Sequence, residues 1–562
     1  MKAGKLLRVI SQLSILVVVG TLSGGTVPMV AATESPDQLD VANSSLTPLS
    51  QTRATASFPN CRFGVAGWNK QWEDFNVISN FGVGWYLDFF SKLTTPVQMV
   101  GAKYAQVIRV SQSRPDDPTD PNAPVACSRD DYGYQINPPL TDDLNGLGHL
   151  IAAHPGALWI VGNEPDRRLA QDDVCPRQYA QAYHDVYTFI KARDVSARVA
   201  IAGLVEVTPG RMQYLDIVWD TYLKKYGTSM PVDVWNMHLY ILSETGDGDA
   251  HIALGTDPAL AIRHSFNCND PTTYCYAEHD SLTLFAEQVV RMRQWMADHG
   301  ERNKPLILSE YSLLLPYDYP TPENPNGKCS VQTCTGDPNL WKYCFCDENQ
   351  RTFYPQRVAN FMVETFNYLL TAADASLGYP QDSNRLVQQW LWFSLETSLA
   401  GSASNLVNST VNPFQLTVPG QTWNGYVAAI APQINLLPTS VPAVVKNASD
   451  GTSPVTVTLS ADIRNNGNRQ LSTPVLVTFY SDAALMSPLG SVALNELGGC
   501  GTFQQTVSVA WSNVPTGAHY FWVEVDSEKS INESSESDNV MQGLVLVNAQ
   551  KLYMPLVVRG SK

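Results

Sequence analysis

Along most of this chain, short apolar runs alternate with longer stretches in which apolar side chains recur every three or four positions. A short apolar run bounded by turn residues suits a buried strand, and the three-to-four rhythm suits a helix that buries one face. The runs at 62–66, 105–110, 158–162, 198–203, 232–238, 306–310 and 389–393 are read as strands. Between them, Tyr179, Tyr183, Val186 and Ile190 mark one amphipathic helix, and Leu282, Phe285, Val289, Met292 and Met296 mark another. Gly300 and Pro305 end the second one before the next strand. An eighth strand, third in order, is expected between Val110 and Leu158. Strand and helix in turn over residues 58–431 leave a closed (β/α)8 barrel or an open doubly wound sheet. No G-x-G-x-x-G follows a strand, which favours the barrel.

The texture changes near Pro432. Runs at 455–463, 474–480, 503–511 and 519–525 are β-rich, with Asn, Gly, Ser and Pro between them and no helical rhythm. An all-β, Ig-like sandwich over residues 432–548 is expected, with a turn at Asn465-Asn466-Gly467-Asn468. Residues 549–562 form a tail whose segment Leu552 to Arg559 reads as a final strand or a sorting tag.

At the other end, Lys2, Lys5 and Arg8 precede an apolar core and small residues ending in Val30, Ala31 and Ala32. That layout predicts a secretory signal peptide over 1–32, since the apolar core is shorter than the ~20 residues of a membrane span. Residues 33–57, rich in Ser, Thr, Ala and Asp without periodicity, read as a disordered linker. The mature chain is therefore expected to be secreted and extracellular.

The formal charge is −16, and becomes more negative once Lys2, Lys5 and Arg8 leave with the leader. Nucleic acid is excluded as a partner on this ground, because phosphate binding needs a basic surface; a neutral glycan suits the charge better. Ten cysteines in an exported chain point to disulfides. Cys268 and Cys275 are spaced to staple one loop, while Cys329, Cys334, Cys344 and Cys346 crowd another. The absence of paired C-x-x-C knuckles disfavours zinc there. Cys500 has no evident partner in its part of the chain.

The sharpest chemical feature is the run Leu158-Trp159-Ile160-Val161 leading into Gly162-Asn163-Glu164-Pro165-Asp166. A second run of the same form, Leu306-Ile307-Leu308-Ser309, delivers Glu310 and then Tyr311 and Ser312. Barrel enzymes keep their active sites at the C-terminal ends of the strands, so both carboxyls are expected at one mouth. A lone Glu at a strand end is ordinarily solvated or ion-paired. Two that face each other are what glycosidic cleavage needs, one to protonate the leaving oxygen and one to attack or to activate water.

In these residues the sequence resembles the retaining glycoside hydrolases of clan A, whose fourth strand ends in Asn-Glu with the acid/base and whose seventh ends in the nucleophilic Glu. Counting the hidden third strand, Asn163-Glu164 falls on the fourth and Glu310 on the seventh. The resemblance implies that Glu164 is the acid/base, Glu310 the nucleophile and Asn163 a ligand of the sugar 2-hydroxyl. It also implies that His238 and Tyr240 line the pocket against the nucleophile and that Arg109, ending the second strand, lies beneath it. Trp392 would be a sugar platform. The plain alternatives are a packing role for His238, a structural ion pair for Arg109 and a core position for Trp392, with Trp390 and Phe393 as rivals. Trp68, with Trp72, Trp85 and Tyr86, is expected to add subsites. The acid should have a raised pKa, and the nucleophile should be kept ionised by Arg109, His238 and Tyr240.

The C-terminal part, with Val523-Glu524-Val525-Asp526 and then Ile531-Asn532-Glu533-Ser534 to Asp538-Asn539, is similar to CARDB-type modules. That resemblance implies an Ig-like spacer or attachment surface, which would hold the protein at a cell surface or matrix. Together these readings predict a secreted retaining glycosidase acting on a neutral, β-linked polysaccharide or oligosaccharide, with no cofactor and no metal. The alternatives are a catalytically silent carbohydrate-binding or adhesion protein and a barrel hydrolase that uses metal, which would need His and Asp clustered at strand ends where His238 is the one histidine placed.

Overall fold

A computed structural model describes residues 58–67, 81–95, 102–112, 127, 133–244, 250–265, 273–275, 278–314, 355–397, 402–408, 411, 414–448 and 453–548. The leader, the linker, the tail, Trp68, Trp72, Cys268, Cys329, Cys334, Cys344 and Cys346 lie outside these residues, and of Cys275 only the backbone is described.

The first part is built on parallel strands: β1 (Asn60–Ala66), β2 (Val83–Leu87), β3 (Lys103–Tyr104) running through Ala105 into β4 (Gln106–Gln112), β6 (Leu158–Val161), β7 (Arg198–Ile201), β8 (Trp235–Leu239), β11 (Leu306–Tyr311) and β12 (Gln389–Trp392). Each pairs in parallel with the next: β1 with β2, β2 with β3, β4 with β6, and β6 with β7. A parallel bridge from Ala200 to Val234 joins β7 to β8. β8 pairs with β11, β11 with β12, and β12 returns to β1. With β3 and β4 counted as one strand, eight strands close into a ring with no free edge, the arrangement that removes exposed backbone donors and acceptors.

Helices α1 (Leu147–Ala153), α2 (Pro176–Lys191), α3 (Pro209–Tyr226), α4 (Leu282–Asp298), α5 (Pro355–Thr371) and α6 (Val418–Ala428) follow the third to eighth ring strands. Their starts are written in the sequence: prolines open α2 and α3, and Ser281 Oγ accepts the Leu284 amide at the head of α4. Tyr179, Tyr183, Val186 and Ile190 of α2 are buried, as their spacing requires. Outside the ring lie a short parallel pair, β9 (Arg263–Ser265) with β10 (Thr273–Cys275), and an antiparallel pair, β13 (Val407–Asn408) with β14 (Gln415–Leu416).

Alternate residues on each ring strand face opposite ways. Leu87, Ala105, Val107, Leu158, Ile160, Ala200, Ile307 and Leu391 fill the interior of the ring. Phe63, Val65, Trp159, Val161, Trp235, Trp390 and Trp392 belong to the larger core shared with the helices.

The missing strand is not where the sequence placed it. Among the described residues between Val110 and Leu158 the one further strand is β5 (Tyr134–Asn137), antiparallel to β4 and outside the ring. The overlooked strand is Val83–Leu87, five buried residues interrupted by Gly84, a run too short and too broken to stand out. The segment at 105–110 is therefore the third strand, while Glu164 and Glu310 still follow the fourth and end the seventh. Trp85 and Tyr86, expected in a substrate-binding loop, are buried within this second strand.

The C-terminal part is two sheets. One orders β15 (Leu436–Ser440), β17 (Val455–Asn465) and β20 (Gln504–Val514). The other orders β16 (Val444–Lys446), β22 (Val540–Val547), β21 (Gly517–Val525), β18 (Val475–Tyr480) and β19 (Pro488–Leu494). Leu459, Ala461 and Ile463 from the first meet Val477, Phe479, Phe521, Val523 and Val545 from the second, the two-residue alternation of a sandwich.

This sandwich is joined to the ring at the end where the strands begin. Cys500 forms a disulfide with Cys61 of β1, across 439 residues. The guanidinium of Arg62 pairs with Asp382 at 2.8 Å and donates to the Asn466 carbonyl at 3.1 Å. Arg198, the first residue of β7, lies 3.7 Å above the ring of Phe503. Among the described residues, no helix is long and apolar enough to cross a membrane.

Candidate active site

Glu164 follows the fourth ring strand and Glu310 ends the seventh, both at the end opposite the sandwich. Glu164 stands in the turn after β6 with φ of 46°, and its amide donates to the Gly203 carbonyl at 3.1 Å. Tyr179 of α2 fixes this corner: its hydroxyl donates to the Val161 carbonyl at 2.6 Å and accepts the Ala202 amide at 2.8 Å. Glu310 lies in β11 directly opposite His238 of β8, next to an irregularity in the pairing. Gly203 is what lets the imidazole in, since a Cβ there would lie 2.1 Å from His238 Cδ2.

His238 Nδ1 is 3.1 Å from Glu164 Oε1 and 3.8 Å from Glu310 Oε2. One oxygen from each glutamate and a ring nitrogen of His238 all lie within 4.8 Å of one another. The Tyr240 hydroxyl donates to Glu310 Oε1 at 2.7 Å, and the Arg167 guanidinium donates to Glu164 Oε2 at 3.2 Å. All but Arg167 are buried.

Burial pushes both carboxyls upward, but they come apart. For Glu164 it is outweighed by the His238 hydrogen bond and the Arg167 charge, which hold it down at about 2. For Glu310, burial and the neighbouring Glu164 charge prevail over His238 and Tyr240 and push it up to about 7. Like charges this close cannot both ionise freely, so the pair titrates as a unit that shares a proton. The directions, Glu164 lowered and Glu310 raised, run opposite to the expectation of a raised acid and an ionised nucleophile. Burial opposes the charged form of His238, yet Glu310 and Glu164 raise it above the ordinary histidine range. Tyr240, buried and beside Glu310, is held well above its ordinary range and stays a neutral donor.

Three donor atoms within 4.8 Å would also suit a divalent cation. Such an ion would sit beside the Arg167 guanidinium and a histidine whose protonated form is favoured, so the cluster fits proton exchange better than metal.

Arg109 does not lie beneath the nucleophile. It is on the third strand, not the second, and its Nε donates to Asp172 at 2.5 Å while Nη2 reaches Gln171 at 3.3 Å. Asp172 in turn accepts the amides of Val110 and Asn163, so this ion pair stitches the third strand to the Asn163 turn. Asn163 stands beside Glu164 with its side-chain amide donating to Gln171 at 3.0 Å. Trp392 is not a platform: it is fully buried in the layer between ring and helices, with Nε1 on the Ser404 carbonyl and its ring edge-on to Tyr311. A one-residue step reverses the face of a strand, so Phe393 points to the interior side, 6.1 Å from Phe89.

The sequence reading missed a second group of charges. Arg211 of α3, fully buried, pairs with Asp166 and with Glu244, whose Oε1 is 2.9 Å from Nε. Glu206 joins them, and burial and Glu244 raise it well above the carboxylate range. Asp166 and Arg167 follow the Asn-Glu-Pro motif immediately, the one signal that could have drawn attention to them.

A family model described as CARDB matches residues 440–543. No curated protein matches the chain. Among solved structures, the chain is similar to a GH128 (subgroup I) endo-β-1,3-glucanase from Amycolatopsis mediterranei in complex with laminarihexaose, at 13% identity over 65% of this chain and 99% of that one, with a TM-score of 0.36. It is similar to a Bacteroides uniformis β-glucuronidase 2 covalently bound to cyclophellitol-6-carboxylate aziridine, at 11% identity over 87% of this chain and 46% of that one, with a TM-score of 0.34. Its C-terminal part is similar to a CARDB domain from Pyrococcus furiosus in complex with di-metal ions, at 18% identity over 21% of this chain and 97% of that one, with a TM-score of 0.17.

Proposed function

We propose that the protein is a secreted retaining glycoside hydrolase on a (β/α)8 barrel, cleaving a neutral β-linked glycan, with the CARDB-like sandwich serving for attachment. The observation that carries this reading is the approach of Glu164 and Glu310, oxygen to oxygen within 4.8 Å. Double displacement requires its two carboxyls about 5–5.5 Å apart, whereas inversion needs about 6.5–9.5 Å to admit a water between them. Closed-ring topology supports the barrel reading, and the charge of the chain supports a neutral substrate.

Glu310 attacks the anomeric carbon, the bond to the leaving oxygen breaks, and Glu164 gives that oxygen its proton. The resulting sugar ester on Glu310 is then attacked by water, which loses a proton to Glu164 as the ester bond breaks and Glu310 is freed. Tyr240 orients Glu310 through its hydrogen bond, and His238 lies between the carboxyls where the shared proton has to pass.

The test is a panel of 2-fluoro aryl glycosides followed by peptide mapping of the trapped enzyme. The expected label is on Glu310, and Glu310→Gln should abolish turnover. Near-normal activity of Glu310→Gln would refute the assignment, and glycan binding without product release would favour a silent binding protein. Loss of turnover on chelation would restore the metal reading.

A further inference from the structure

The ion pair between Arg167 and Glu164 poses a problem for the proposed reaction. Glu164 has to donate a proton, yet it is the carboxyl that carries an arginine. Arg167 Nη1 contacts Glu164 Oε2 at 3.2 Å, three residues further along the same turn, with the Arg167 amide on the Glu164 carbonyl at 3.1 Å. About a fifth of the Arg167 side chain is exposed, 21% against 3% for Glu164. Among the described members of the site it is thus the one at the border of solvent, where an entering ligand would meet it first.

We propose that Arg167 is a gate on the acid catalyst: its guanidinium clamps Glu164 as a carboxylate and is drawn off by substrate oxygens before Glu164 can act. The inference rests on the glycosidase reading given above. Once Arg167 leaves Glu164, the proton shared by the pair moves from Glu310 to Glu164. The O–H bond on Glu310 breaks and one on Glu164 forms, with His238 Nδ1 within 3.1 and 3.8 Å of the two oxygens. No proton enters or leaves the site. The exchange turns the resting state, with Glu310 protonated, into the reactive one, with Glu310 ionised and Glu164 acidic. Until a sugar draws Arg167 away, the nucleophile stays protonated and unreactive.

Among the described residues, the groups that face the pair come from a few elements. His238 and Tyr240 come from β8 and its extension, Arg167 and Asp166 from the turn after β6, and the Arg211, Glu206 and Glu244 group stands behind Asp166. Of these, only Arg167 holds Glu164 from the solvent side. Arg167 is a positioning residue, and its removal should be read in the titration of the pair.

The experiment compares the full-length protein with Arg167→Ala and Arg167→Lys. In the pH profile of kcat/KM on an aryl glycoside, the acid limb, where the pair takes a second proton on Glu164, should move up by about one unit or more in Arg167→Ala. Arg167→Lys should return it toward the wild-type position. Independently of turnover, 13C NMR of glutamate-labelled protein, assigned with Glu164→Gln, should show the lower titration of the pair rising by the same amount. Unmoved limbs and an unmoved titration in Arg167→Ala would overturn the gate. So would a uniform loss of activity at every pH that Arg167→Lys does not relieve. If no glycoside is turned over, the glycosidase reading fails by itself, and the NMR titration still decides whether Arg167 clamps Glu164.

Discussion

The phenol of Tyr240 donates to Oε1 of Glu310 across 2.7 Å, from a position two residues beyond the histidine that faces the same carboxyl. Tyr240 therefore favours the ionised form of Glu310 against burial. Tyr240→Phe removes that donor without removing the ring. A hydrogen bond to a charged group contributes about 1.5–3 kcal/mol, so kcat on an activated aryl glycoside is expected to fall roughly 10- to 100-fold. Steady-state kinetics check this, and unchanged turnover would remove Tyr240 from the site.

Glu310 also links the site to stability. Its folded pKa, pushed up to about 7 by burial and by Glu164, exceeds the ~4.3 of an unfolded glutamate. Between those values the folded state binds more protons than the unfolded one, so this group's contribution falls as pH rises through about 4.3 to 7. Glu310→Gln escapes that loss. Its melting temperature should exceed that of the wild type at pH 8, with the gap closing as pH falls below about 5, as followed by calorimetry across pH.

Trp392 separates a packing role from a binding one. Its indole sits between the ring and the helices, so Trp392→Ala should lower stability by about 3–5 kcal/mol while leaving KM for a short glycoside within about twofold in the folded fraction. Denaturant unfolding and kinetics on the same samples test it. A large rise in KM with intact stability would return the residue to the substrate pocket.

The disulfide between Cys61 and Cys500 closes a long loop between the two parts of the chain. Replacing both with Ser should cost about 2–5 kcal/mol and split one thermal transition into two, since each part has its own hydrophobic core. A single unshifted transition in the double variant would show that Arg62, Asp382 and Asn466 suffice to hold the junction.

Much of this architecture was already legible in local pattern. Seven ring strands, the faces of α2 and α4, and four strands of the sandwich follow from apolar spacing, because burial demands a period of two or of three to four wherever a strand or helix forms. Both glutamates were legible too, since an apolar strand that ends in a carboxyl advertises it. Val83–Leu87 was not, because five residues carry too few repeats to establish a period.

Local pattern thus specifies most of the elements and the acids at their ends. Which side chains meet was decided only by closure of the ring. It set Arg109 on Asp172 and brought His238 to Glu164 and Glu310; strand direction turned Trp392 toward the helices, and folding joined Cys500 to a cysteine 439 residues away. It also lowered the pKa of Glu164 and raised that of Glu310, opposite to the directions expected for an acid and a nucleophile. A pKa depends on the charges and the burial a group meets from every side, and those neighbours come from distant parts of the chain that no local pattern connects.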